Sequence, residues 1–349
     1  MAVGNLEFIK SASGTNVRSI DVNDCFSADY DVYKIVIHNI KGYQASGDRL
    51  LDMRFIDTVP SVITGAEYDY AVLDLDSGAA FAEQRATNTT LIGRLYIYNT
   101  STALGAIVAY IFNPNDSSSY TFATYQSSGN YAGRNYGMKG IGVHKQAEQI
   151  TGVHFITNAD NMDINLSVYG VKWIMATGSL IKIDEEIVTS AVASVELGGA
   201  NWDSSYDVYI VKFNNVTVTT DSTTLQARII KSDNSADSTA NYDRALKALR
   251  TDTTFTNVSN VNQTAFDVEF LGTGTGEMTN GIYYLFNFNN ASEYNFCTIE
   301  TSNINATPIL IGGAGGFVHT VAQLGKGLQF FMSSSTIAGG TFTLYGLKK

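Results

Sequence analysis

The chain has 349 residues, of which 44% are hydrophobic and 11% aromatic, and it carries a formal net charge of −11. That length accommodates two buried cores, and an acidic chain without basic clusters lacks the electrostatic footprint of a nucleic-acid binder. No run approaches the ~18 apolar residues of a spanning helix, and the opening MAVGNLEFIKSASG has no basic region followed by an apolar one, so neither a membrane span nor a leader is expected.

Only 16% of residues are charged, while Tyr (20) and Phe (18) are abundant. This composition suits pleated, half-buried strands better than surface helices. From the N-terminus, YDVYKIVIHNI at 30–40 alternates: Tyr33, Ile35 and Ile37 share one face, and Lys34 and His38 join Val32 and Val36 on the other. YDYAVLDLDSGAAF at 68–81 and AYIFNPNDSSSYTF at 109–122 read as further strands ending in turns. SSSYTFATYQSSGNYAGRNYGMKG at 117–140 has the Tyr, Ser, Gly and Asn mixture of binding loops that touch a glycan or a protein neighbour, and reads equally as an ordinary loop whose tyrosines pack back on the sandwich. VYGVK at 168–172 closes the series.

The series then repeats. YDVYIVKFNNV stands at 206–216, YDRALKALRTDTTF at 242–255, YYLFNFNNASEYNF at 283–296, Phe-Val-His at 317–319 for Gly-Val-His at 142–144, and LYGLK at 344–348. The offset stays at about 174–176 residues through all five blocks, which marks an internal duplication. The segment NYDRALKALRTD also fits a helix, with Ala245, Leu246 and Leu249 on one side. Its counterpart at 68–76 is β-patterned, so strand is expected for both. About eight strands per copy suggest an all-β protein of two tandem, duplicated jelly-roll-like β-sandwich domains, 1–178 and 179–349, with the seam near MATGSLIK.

Groups that could carry chemistry are few. Asp74 and Asp76 share a strand face, as paired carboxylates of a glycosidase or calcium site would, but Ala248 and Arg250 replace them in the second copy, and a strand entering an Asp-Ser-Gly turn accounts for them. Asp24, Asp29 and Asp31, echoed by Asp203 and Asp207, lack the spacing of a calcium loop and fit turns before the YDVY strand. His38, His144, His154 and His319 are the only histidines. The equivalence of His144 and His319 suggests a shared buried imidazole bonded to backbone, and His144 with His154 lacks a third metal ligand. GTGTG at 272–276 and GGAGG at 312–316 precede no Lys-Ser/Thr helix and read as loops with positive φ or close backbone approach. Cys25 and Cys297 occupy non-equivalent positions, so no disulfide or zinc framework is expected. No catalytic residue, metal or cofactor is therefore expected, and no binding residue can be assigned.

The repeated YDVY strand, the closing (Val/Leu)-Tyr-Gly-(Val/Leu)-Lys strand and the opening GNLEFIKSASG resemble virion structural proteins of tailed marine bacteriophages, cyanophages in particular. The resemblance implies β-sandwich domains on the outer surface of a virion, without catalysis. The function expected on that basis is an outer capsid decoration or cement protein that bridges neighbouring shell subunits, with other virion proteins as partners and homo-oligomers in the assembly. The alternative is a tail-associated receptor-binding protein contacting a host glycan or protein, and a glycan depolymerase stands third for want of a carboxylate pair.

Overall fold

A computed structural model describes residues 6–43, 49–79, 81–97, 105–131, 134–158, 160–171 and 180–348. Contacts divide it into two compact units, one mainly of residues 6–171 and the other mainly of residues 180–348; most of the expected seam lies outside the described residues. No helix among the described residues is long and apolar enough to cross a membrane.

The first unit contains β1 (Leu6–Val17), β2 (Ser19–Val22), β3 (Val32–Gly42), β4 (Arg49–Ile56), β5 (Tyr68–Asp76), β6 (Ala82–Thr89), β7 (Ile92–Ile97), β8 (Gly105–Phe112), β9 (Thr121–Tyr131), β10 (Arg134–His144), β11 (Gly152–Thr157) and β12 (Met162–Val171). β1 pairs with β12, β2 with β11, β3 with β8 and β4 with β7, all antiparallel. These are the nested pairs of one long folded ribbon. Rolling the ribbon places β1-β12-β3-β8 in one sheet and β2-β11-β4-β7 in the other, which is the jelly roll. The hairpins β9–β10 and β5–β6 extend the first sheet to eight strands.

The second unit contains β13 (Leu180–Val188), β14 (Ser194–Gly198), β15 (Val208–Val218), β16 (Thr223–Lys231), β17 (Tyr242–Arg250), β18 (Thr256–Gln263), β19 (Phe266–Leu271), β20 (Thr279–Phe286), β21 (Asn295–Ile304), β22 (Leu310–His319), β23 (Gly325–Met332) and β24 (Ile337–Leu347). Its sheets run β13-β24-β15-β20-β21-β22-β17-β18 and β14-β23-β16-β19, the order of the first unit with each number raised by twelve.

Alternation makes each core. Tyr33, Ile35 and Ile37 of β3 and Ile164, Leu166 and Val168 of β12 meet Leu51, Met53 and Phe55 of β4 and Val153 and Phe155 of β11. Tyr209, Val211 and Phe213 of β15 meet Leu225, Ala227 and Ile229 of β16 and Leu328 and Phe330 of β23 in the same way. The outer face of β3 grades from buried Val32 through Lys34 and Val36 to exposed His38, as its mixed composition predicts.

Three expectations need correction. Among the described residues each unit has twelve strands rather than about eight; one strand in each, β6 (AEQRATNT) or β18 (TNVSNVNQ), is a polar, largely solvent-facing edge strand with no apolar alternation to reveal it. Residues 117–140 are mostly strands β9 and β10 rather than loop; Tyr125 is fully buried and donates to Gly93 O at 3.1 Å, and residues 132–133 lie outside the described residues. GGAGG at 312–316 lies within β22, not in a loop. It is glycine-rich because a Cβ on Gly315 would stand 2.3 Å from Ala245 O of β17. The ambiguous 242–250 segment is strand, like 68–76.

Candidate functional site

The register of one strand pair assembles the site. β10 runs antiparallel to β5 with His144 opposite Tyr68, and the backbone beyond continues the ladder, Lys145 N donating to Glu67 O at 2.8 Å. Glu67, at the entry to β5, thereby meets His144, at the exit of β10. Glu148 returns to the same point from the following loop, four residues on. Glu67 Oε2 lies 3.1 Å and Glu148 Oε1 3.4 Å from His144 Nε2. Among the described residues these three are the one group of His, Cys, Asp and Glu whose ligand atoms gather within 4.8 Å.

His144 is fully buried, against the rings of Phe55 and Tyr68. Its Nδ1 has no hydrogen-bond partner. Burial lowers the imidazole pKa against the opposing pull of Glu67. Both carboxylates are partly open to solvent, with side-chain exposures of 32% for Glu67 and 41% for Glu148. Burial and the negative charge of Glu67 raise the pKa of Glu148. Next to the group, Lys145 pairs with buried Asp69 at 2.8 Å.

The second unit offers a comparison. His319 is buried like His144, and Thr320 N donates to Asn241 O at 2.8 Å where Lys145 N meets Glu67 O. Asn241 thus stands in place of Glu67, and Gln323, four residues beyond His319, in place of Glu148. The carboxylate here is Asp237, whose Oδ2 lies 3.1 Å from His319 Nε2 and accepts from Gln323 Nε2 at 3.1 Å. Its Oδ1 accepts from Thr239 N at 2.9 Å. One carboxylate with several donors is a closed arrangement. Two carboxylates facing one imidazole are not.

The shared buried histidine is therefore as expected; His319 keeps a backbone hydrogen bond, to Val321, beside Asp237, whereas the hydrogen-bond partner of His144 is the Glu67 carboxylate. His154 is not beside His144: it sits across from Asp21 on β2, with Nδ1 2.5 Å from Oδ1. His38 is exposed on β3. Asp76 accepts from Gly78 N at 2.8 Å in the expected turn, and Asp74 is buried on the same strand. Asp203 accepts from Ser205 N at 2.9 Å, again turn chemistry. The GTGTG loop turns on its own neighbour, Gly274 N donating to Glu277 Oε2 at 2.7 Å. Cys25 and Cys297 are both buried and free, and burial pushes the Cys25 thiol up to about 12. Sequence reading missed Glu67 and Glu148. The His-x3-Glu spacing at 144–148 and the Glu immediately before the YDYAVLDLD strand were the available signals.

No protein-family model and no curated protein matches the chain. Among solved structures, mouse laminin α1 domains LG4-5 align over 95% of this chain and 86% of their own at 7% identity, with a TM-score of 0.19. The tandem CBM22-1-CBM22-2 of Paenibacillus barcinonensis Xyn10C aligns over 97% and 86% at 8% identity, with a TM-score of 0.18. The CBM2 module of the evolved Dit of Lactobacillus casei BL23 phage J-1 aligns over 47% and 76% at 10% identity, with a TM-score of 0.15. Likenesses this slight carry no functional argument.

Proposed function

We propose that the chain is a structural protein of a tailed-phage virion, placed on the outer surface as a decoration protein that bridges neighbouring shell subunits. One observation carries the reading: a single chain holds the same twelve-strand order twice. Two like frameworks offer two like sets of edges and loops, which suits a clamp on a surface whose own subunits repeat by symmetry. Binding the assembled shell and not its dissociated parts would stabilise it by mass action. The described residues of the motifs that resemble cyanophage virion proteins lead into β3 and β15 and lie on β12, β24 and β1, so they belong to the framework of both units. The reading requires other virion proteins and further copies of the chain as partners, and no cofactor, catalytic group or nucleic acid. The receptor-binding alternative drew on the Tyr-rich 117–140 stretch. It loses weight because most of that stretch is strand and Tyr125 is spent on the core.

The test is gold-labelled antibody against the chain, viewed on intact particles by electron microscopy. Label scattered over the head supports the decoration role. Label confined to the tail replaces it with the receptor-binding role, and unlabelled particles overturn both.

A further inference from the structure

The contrast between the two buried histidines points to a ligand for one of them. We propose that Glu67, His144 and Glu148 bind a divalent first-row transition-metal ion, with Zn²⁺ as its representative, and that the equivalent place in the second unit does not. The inference is independent of where the protein sits on a particle.

Geometry comes first. Metal–ligand bonds of ~2.0 Å set the edges of a tetrahedron at about 3.3 Å. The separations of Nε2 from the two carboxylate oxygens, 3.1 and 3.4 Å, fall on either side of that value. The remaining oxygen–oxygen gap lies within 4.8 Å, and Glu148, the more exposed ligand, can close it by rotation. Hydrogen bonding accounts for one of the two contacts: Nε2 is hydrogen-bonded to Glu67 Oε2 at 3.1 Å, while Glu148 Oε1 at 3.4 Å is close without a hydrogen bond to it. A cation at the centre satisfies all three groups and cancels the repulsion between the two acids.

The second unit supplies the internal control. There the chain replaces both carboxylates by amides, Asn241 and Gln323, and Gln323 donates into the single acid Asp237. That site closes on itself without an ion. The chain has thus built the same buried imidazole twice, and only once surrounded it with ligands.

The donor set selects the ion. An imidazole nitrogen with two carboxylates suits zinc and its neighbours better than calcium, which seeks six to eight oxygens. Three protein ligands and partly open carboxylates leave a coordination position for water. No acceptor stands behind Nδ1 to raise the basicity of the imidazole, so the ion is expected to exchange freely with a chelator.

The experiment uses the full chain, treated with EDTA, dialysed and titrated with Zn²⁺ by calorimetry, beside Glu148→Gln, which gives the first unit the residue found in the second. Glu148 is partly exposed, so the variant should fold, and circular dichroism and melting check that. Expected are one saturable Zn²⁺ site in the unmodified chain, a Kd weakened more than about tenfold in the variant, and no displacement by equimolar Ca²⁺. Co²⁺ should give a ligand-field absorption band that the variant loses. Absence of a saturable site overturns the proposal. So does a folded variant that titrates like the original, since the ion would then lie elsewhere, for instance at Asp21 and His154.

Discussion

Tyr242 uses one oxygen twice: it donates to Asp237 O at 2.7 Å and accepts from Ile229 N at 3.0 Å. Tyr68 bonds in the same way to Ile63 O and Phe55 N. Removing the hydroxyl leaves a buried N–H and C=O unpaired, at a cost of about 1–3 kcal/mol. Tyr242→Phe is therefore expected to lower the urea midpoint by a corresponding amount, and an unchanged midpoint would show that relaxation restores both partners. The neighbouring His319 makes this part of the protein acid-sensitive. Burial holds its pKa below the ordinary 6.5 despite the pull of Asp237. As pH falls through 6.5 the unfolded chain takes up a proton there and the native one does not, so stability declines with acid in that window. Asp237, held below 3.8 by its donors, gives a further loss as pH falls through its folded value. Hydrogen exchange at the Ile229 amide, which Tyr242 holds, should quicken between about pH 7.5 and about pH 5.5 once corrected for intrinsic rates. Corrected rates that stay flat or slow down would contradict the assignment of a neutral His319.

Among the elements, the two motifs that open and close each copy prove to be halves of one contact. A Cβ on Gly170 of β12 would stand 2.5 Å from the ring of Tyr30, and one on Gly346 of β24 would stand 2.1 Å from the ring of Tyr206. The Gly of (Val/Leu)-Tyr-Gly-(Val/Leu)-Lys is small because the first Tyr of YDVY lies over it, and that Tyr in turn packs edge-on against the second, Tyr33 or Tyr209. Gly346→Ala is expected to cost about 1–3 kcal/mol through overpacking, read as a loss of melting temperature. Restoration by a second change, Tyr206→Leu, would trace the cost to this ring. The strands carrying these motifs were legible because their alternation is strong: Tyr33, Ile35 and Ile37 could face only one core. β18 was not legible, since TNVSNVNQ is held by its backbone pairing with β17 and buries little. The candidate site was hidden for another reason. Glu67 and His144 stand 77 residues apart, and only the registration of β5 on β10 brings them together.

At the scale of the molecule, nested pairing means that each unit is completed by its last strand. β12 lies between β1 and β3, and β24 between β13 and β15, so the closing strand fills the inside of a sheet rather than lengthening its edge. Contacts that join the first strand to the last also carry a large loop-closure cost, which slows folding. The same pairing sets the two ends of each unit side by side, with Leu6 opposite Val171 and Leu180 opposite Leu347. A unit whose ends emerge together can be spliced into a chain at one point without disturbing its sheets. It should equally tolerate being reopened elsewhere. A circular permutant of the second unit, with its ends at 180 and 347 joined by a short Gly-Ser linker and new ends cut in the exposed turn at 232–235, is expected to retain the β-type circular dichroism and cooperative melting of the original. Loss of both would mean that the order of synthesis, and not only the pattern of pairing, decides whether the ribbon rolls.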